Sequence, residues 1–236
     1  MSAMHPPRIV LATALVTLGV CVAVVALLVR YDAIGSSSSS GISGSGIPAV
    51  EARHVTGFRE VELRGSVQVT VRAGAPRAIV VHADDNLVRL VRTTVVGDRL
   101  VVATKDVSFE SESPMVVVVH VPVLAALVLS GSGILAADDV SAPKLVVVLS
   151  GSGVLRAGGR AQRLEATLSG SGDAQLAALT SARARALVSG SGRIVLVATD
   201  ALDAAVTGSG AILYGGSPAE LRTSVTGSGA VIPAVA

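Results

Sequence analysis

Aromatic side chains are almost missing: the 236 residues include two Phe, two Tyr and no Trp. Half of the chain is nevertheless apolar, so any core must be packed from Val, Leu, Ile and Ala. That β-branched-rich mixture suits narrow, stacked strands better than a bulky globular centre. Lack of rings also removes the stacking platforms on which nucleic-acid bases rest, and a net charge of +2 from dispersed Arg and Lys gives no basic footprint. Nucleic acid is therefore excluded as a partner. A single cysteine, Cys21, excludes any disulfide within the chain, so the fold does not depend on oxidation.

Charge is absent from one long stretch. Ile9 to Val29 carries no charged residue over 21 positions, enough for a helix to cross a hydrocarbon layer of about 30 Å. It exceeds the roughly 7–15 apolar residues of a cleaved signal, which predicts an uncleaved signal anchor. Residues 1–8 are then cytoplasmic, 9–29 cross the cell membrane once, and everything beyond is extracytoplasmic. The alternative is secretion after a cut following Gly35. Cys21 follows Val20, which is too large for a lipobox, and reads as a buried thiol. Residues 30–50, rich in Ser and Gly, are expected to be a linker.

What the chain has in abundance is one tetrapeptide. SGSG begins at Ser130, Ser150, Ser169 and Ser189, and TGSG at Thr207 and Thr226, with spacings of 20, 19, 20, 18 and 19 residues. The residue before each tetrad is Leu129, Leu149, Leu168, Val188, Val206 or Val225, and apolar residues continue backward from it mostly at every second position. Period two marks a strand with one buried face. The fourth residue before the tetrad reads Glu165, Arg185, Asp203, Arg222 in the last four copies. Stacked as parallel strands, these alternate in sign and favour one register. Alternation resumes after the tetrad, so both glycines should point inward and both hydroxyls outward. A segment that cannot bury its apolar face alone, but can on copies of itself, is a solenoid unit.

The pattern predicts an all-β protein: a parallel β-helix or β-solenoid of about six 18–20-residue coils over 124–236, with an N-terminal β cap over 51–123, preceded by one transmembrane helix. In the cap, FREVEL, SVQVTV, AIVVHA and MVVVVHVPV read as strands, and Gly97-Asp98 as the turn of a hairpin.

The order of FREVELRGSVQVTVRAG, ADDNLVRLVRTTVVGDRLVVAT, serial SGSG coils and AILYGGSPAELRTSVTGSGA resembles the head GIN domain family of auto-transporter adhesins over about residues 54–232. That resemblance implies a β-helix-like domain exported to the bacterial envelope and carries over no catalytic residue. No segment is patterned as an outer-membrane translocator barrel, a departure from long members of the family that tells against an autotransporter mechanism.

Chemistry finds little to hold. The tetrads lack the Gly-Lys-Ser/Thr of a phosphate loop and the third glycine of a dinucleotide fingerprint. Only one tetrad is followed by an aspartate, Asp173, too few carboxylates for calcium. Asp84-Asp85 and Asp138-Asp139 are adjacent pairs, which on a strand face opposite ways. His54, His82 and His120 lack metal-ligand spacing. Catalytic, cofactor and metal residues are therefore assigned to none. The expected role is non-enzymatic: a membrane-anchored solenoid for adhesion or cell-envelope interaction, binding a glycan or protein. Two other readings are a polysaccharide-acting β-helix using Asp138, Asp139 or Asp173, and a scaffold that assembles as a homo-oligomer.

Overall fold

The computed structural model describes residues 41–55, 57–105 and 107–234. The expected anchor over 9–29, the cut after Gly35 and Cys21 lie outside the described residues. Among those described, no helix is long and apolar enough to cross a membrane.

Seventeen strands follow in order: β1 (Ile42–Ser43), β2 (Pro48–Arg53), β3 (Glu60–Arg64), β4 (Gln68–Ala73), β5 (Ala78–Asp84), β6 (Val91–Val96), β7 (Arg99–Thr104), β8 (Phe109–Glu110), β9 (Val116–Val121), β10 (Ala126–Gly131), β11 (Ile134–Gly151), β12 (Val154–Gly170), β13 (Asp173–Gly190), β14 (Arg193–Gly208), β15 (Ala211–Gly215), β16 (Glu220–Thr226) and β17 (Ala230–Pro233). The fold is all-β, with 71% of the described residues in strands, a solenoid of about five turns. About six coils were expected over 124–236; the six tetrads there enclose five intervals.

From β10 onward each strand pairs in parallel with its counterpart one coil later. The register sets Ser130, Ser150, Ser169, Ser189, Thr207 and Thr226 in one column. Inward positions are sealed: Leu129, Leu149, Leu168 and Leu155 are fully buried. In β13 the in-out alternation breaks at 177–178 and again at 182–183, where successive side chains turn away from the core. With the tetrad, these breaks give the coil three corners.

The tetrad glycines serve both a sharp bend and a close approach, and what they approach is the coil before. The first glycine of the tetrad takes a left-handed backbone, φ +118° at Gly151 and +116° at Gly170. A Cβ on Gly151 would stand 2.5 Å from the carbonyl oxygen of Gly131, and one on Gly153 2.6 Å from that of Gly133. The obstacle is the backbone of the preceding coil. Gly131 O also accepts bonds from the Ser152 and Gly153 amides at 3.1 and 3.0 Å, so coils are laced together where the chain turns most sharply.

Residues 51–123 supply every strand expected of them, including the Gly97-Asp98 hairpin between β6 and β7. They also contain an unrecognised corner. β3 pairs in parallel with β10, and β4 with β11. Between them, Arg64-Gly65-Ser66-Val67 occupies the tetrad position, with φ +114° at Gly65. The solenoid therefore starts at β3, not at 124. β7 and β9 extend it in parallel, and antiparallel β6, β5 and β2 lie beyond them. Structure also begins earlier than the linker over 30–50 implies: β1 pairs with β8, and the Asn86 amide donates to Ser43 O at 2.7 Å.

At the far end, Leu221 and Val225 of β16 keep their inward phase but are 45% and 44% exposed. β16 is stacked on β14, and no described strand lies on its other side, whereas an interior position needs neighbours above and below.

Candidate ligand surfaces

Two outward features repeat along the stack. The first is the tetrad corner, where Ser150, Ser152, Ser169, Ser171, Ser189 and Ser191 stand exposed in two columns. Beside it, a shallow depression of about 370 Å³ is lined by Ser171, Asp173, Ser191, Arg193 and Ser209. Asp173 and Arg193 are register partners and form an ion pair at 2.8 Å. The Gln175 amide donates to the same carboxylate at 2.9 Å, and Arg156 donates to the Gln175 carbonyl at 2.8 Å. The Arg193 hydrogen bond holds the Asp173 carboxyl below the usual aspartate range. One coil's side chain thus fixes the next coil's.

The expected ladder at the fourth position is present in register, Glu165 beside Arg185 beside Asp203 beside Arg222. Its contacts are selective. Arg185 lies 3.7 Å from Asp203, whereas Glu165 turns back to Lys144 at 2.8 Å.

The second feature lies at the corner centred on 182–183. A groove of about 560 Å³ crosses four successive coils there, lined by Ser141, Arg160, Gln162, Thr180 and Thr199 among small apolar residues. Beside it, Lys144, Arg163 and Arg183 occupy one register column. Arginines that look dispersed in sequence are gathered by stacking. Counting back from the tetrad as far as the sixth residue would have found the column, since Lys144, Arg163 and Arg183 each stand there.

The carboxylates expected as a catalytic set are not brought together. Asp138 and Asp139 are exposed, with Asp139 at φ +60°. Asp173 lies two coils further and four positions earlier in the repeat, about 16 Å away from strand spacings, beyond the roughly 5–9.5 Å of glycosidase pairs. Asp84 and Asp85 do face opposite ways. Asp84 is fully buried, accepting from the Glu112 amide at 2.9 Å and the Ser111 hydroxyl at 3.3 Å, while Asp85 is exposed. Nor do the histidines meet: His54 and His82 are exposed, and His120 pairs with Ala78 and Arg72. Among the described residues no metal-holding cluster forms.

Acid should loosen this fold in a defined window. Hydrogen bonding by Ser113, with the Glu112 amide and Ser111, holds Asp84 below its usual value. Burial pushes Glu62 up, but its bonds to Arg64 and Arg99 outweigh this and leave it lowered. Groups lowered by folding stabilise at neutral pH and lose that contribution as pH falls through their folded values. The urea midpoint should be flat from pH 7 to about pH 5 and fall below about pH 4. Glu62→Gln should flatten part of that fall, and a wild-type profile level down to pH 2 would contradict the assignment.

Comparison with known proteins places these features in a group. A family model described as "Putative auto-transporter adhesin, head GIN domain" matches residues 57–218. A solved structure of a "putative adhesin" from Bacteroides fragilis is similar at TM-score 0.66 and 21% identity, covering 82% of this chain and all of that one. A "putative lipid binding protein" from Parabacteroides distasonis gives 0.56 and 22%, covering 82% and 99%. A "putative adhesin" from the same organism gives 0.53 and 22% with the same coverage. At these identities the likeness is one of fold. No curated protein matches.

Proposed function

Because the chain belongs to the head GIN domain family, we propose that it is a non-enzymatic, membrane-anchored β-solenoid that presents its repeated faces outside the cell for adhesion or cell-envelope interaction. Residues 9–29 are the anchor, and the strands beyond the first coil, β6, β5 and β2, cap its edge against strand addition. The observation that carries the reading is the single register column from Ser130 to Thr226, which sets a small hydroxyl at the corner of every tetrad-bearing coil. A surface repeated at strand spacing and held by backbone bonds offers many equal weak contacts, which suits a multivalent binder. The separation of Asp138 and Asp139 from Asp173 argues against a glycan-cleaving role.

Protease shaving of intact cells tests the orientation. With an epitope after Ala236, external protease should remove the domain and its signal, while a cytoplasmic control protein survives. A domain that stays protected until the cells are lysed would overturn the outward placement.

A further inference from the structure

The charge column at the groove is built unlike its neighbour two residues away. At the fourth position before the tetrad, signs alternate from coil to coil, Glu165, Arg185, Asp203, Arg222. At the sixth they do not: Lys144, Arg163 and Arg183 are directly stacked. Parallel strands lie about 4.8 Å apart, and like charges set opposite one another are destabilising. Lys144 is neutralised by Glu165. Arg163, Arg183 and the groove-lining Arg160 form no ion pair among the described residues. The same corner thus keeps a run of unneutralised guanidinium groups against its own stability.

We infer that this edge is an anion-binding groove whose ligand is a linear acidic polysaccharide lying across the coils, its carboxylate or sulfate groups held by Arg160, Arg163 and Arg183. Guanidinium groups take carboxylate and sulfate-like oxygens in a two-pronged fork. Ser141, Gln162, Thr180 and Thr199 in the groove supply donors and acceptors for sugar hydroxyls. The lining has no aromatic ring to stack a nucleic-acid base and no long apolar side chain to seat an acyl chain, only Ala142, Pro143, Ala161 and Ala182. Charge carries the recognition that rings carry in many neutral-sugar sites. This site is separate from the hydroxyl corner, and it rests on the adhesive reading only for its location outside the cell.

The full chain in detergent should bind immobilised heparin in low salt and release it as salt rises, while uncharged dextran is not retained. Arg163→Glu/Arg183→Glu should weaken heparin binding at least tenfold. Arg89→Glu/Arg92→Glu makes the same change of net charge elsewhere on the surface, at exposed residues, and should weaken it less than threefold. Arg163→Lys/Arg183→Lys keeps the charge but loses the fork, and should fall between the two. Melting curves matching wild type establish that each variant is folded. Equal loss in the two charge-reversed variants, no loss in either, or equal wild-type retention on double-stranded DNA or on phosphatidylglycerol vesicles would each overturn the proposal. The assay uses purified protein, so it can fail while the shaving result stands, and the reverse.

Discussion

Gly170→Ala is expected to lower the melting temperature by roughly 10 °C, whereas Ser171→Ala beside it should leave it nearly unchanged. Gly170 has φ +116°, a conformation that costs a side-chain-bearing residue about 1–3 kcal/mol. The new Cβ would also stand 2.6 Å from Gly151 O, which is backbone in the coil before. No rotamer change relieves that contact. The coil can accommodate it only by moving away from its neighbour, stretching the bond from the Ser171 amide to the same oxygen, now 3.0 Å. Strain and lost bonding together give about 3 kcal/mol or more, and a domain of this size loses roughly 2–4 °C per kcal/mol. An alanine variant melting within about 2 °C of wild type would refute the stacked-corner account.

Leu149→Ala should destabilise by about 2–5 kcal/mol. Leu149 is fully buried, in register between Leu129 and Leu168. Coils above and below are held by backbone bonds, so they cannot collapse readily into the space a leucine leaves, which places the effect in the upper half of that range. Leu187→Ala, at a position 41% exposed, should change stability by well under 1 kcal/mol. One double variant separates the two mechanisms. A Cβ at Gly172 would meet Leu149 Cδ2 at 2.8 Å but also Gly153 O at 2.7 Å. Leu149→Ala should therefore fail to rescue Gly172→Ala. Substantial rescue, read from denaturant midpoints, would mean that side-chain crowding rather than the backbone sets the glycine requirement.

Much of this architecture can be read directly from the sequence, because a solenoid writes its neighbour contacts as a repeat. The columns of Leu129, Leu149 and Leu168, and of Asp173 and Arg193, need only residue counting. Arg64-Gly65-Ser66-Val67 escaped that counting because only two of its four letters match the tetrad. The match is in backbone conformation, φ +114° at Gly65, and about 65 residues of excursion separate it from Gly131, on which it stacks. The reason for the glycines was also hidden. Period two says which way a residue points, but the carbonyl that forbids a side chain belongs to a coil 20 residues earlier. Among the surface features, the hydroxyl columns are visible in the tetrad itself. The arginine column is visible to the same counting only when it is carried back to the sixth residue before each tetrad, where Lys144, Arg163 and Arg183 stand.

The seating of each tetrad on the previous one has a genealogical consequence. Gly153 meets Gly133, Gly172 meets Gly153, and Gly192 meets Gly172 by the same contact. A coil is therefore a heritable unit: duplicating or deleting one whole coil leaves the glycine contact at every remaining tetrad junction the same, and only the outward charge pairs must readjust. Lineages of such domains can lengthen or shorten in steps of about 4.8 Å without redesigning the interior, and drift is free to act on the outward side chains.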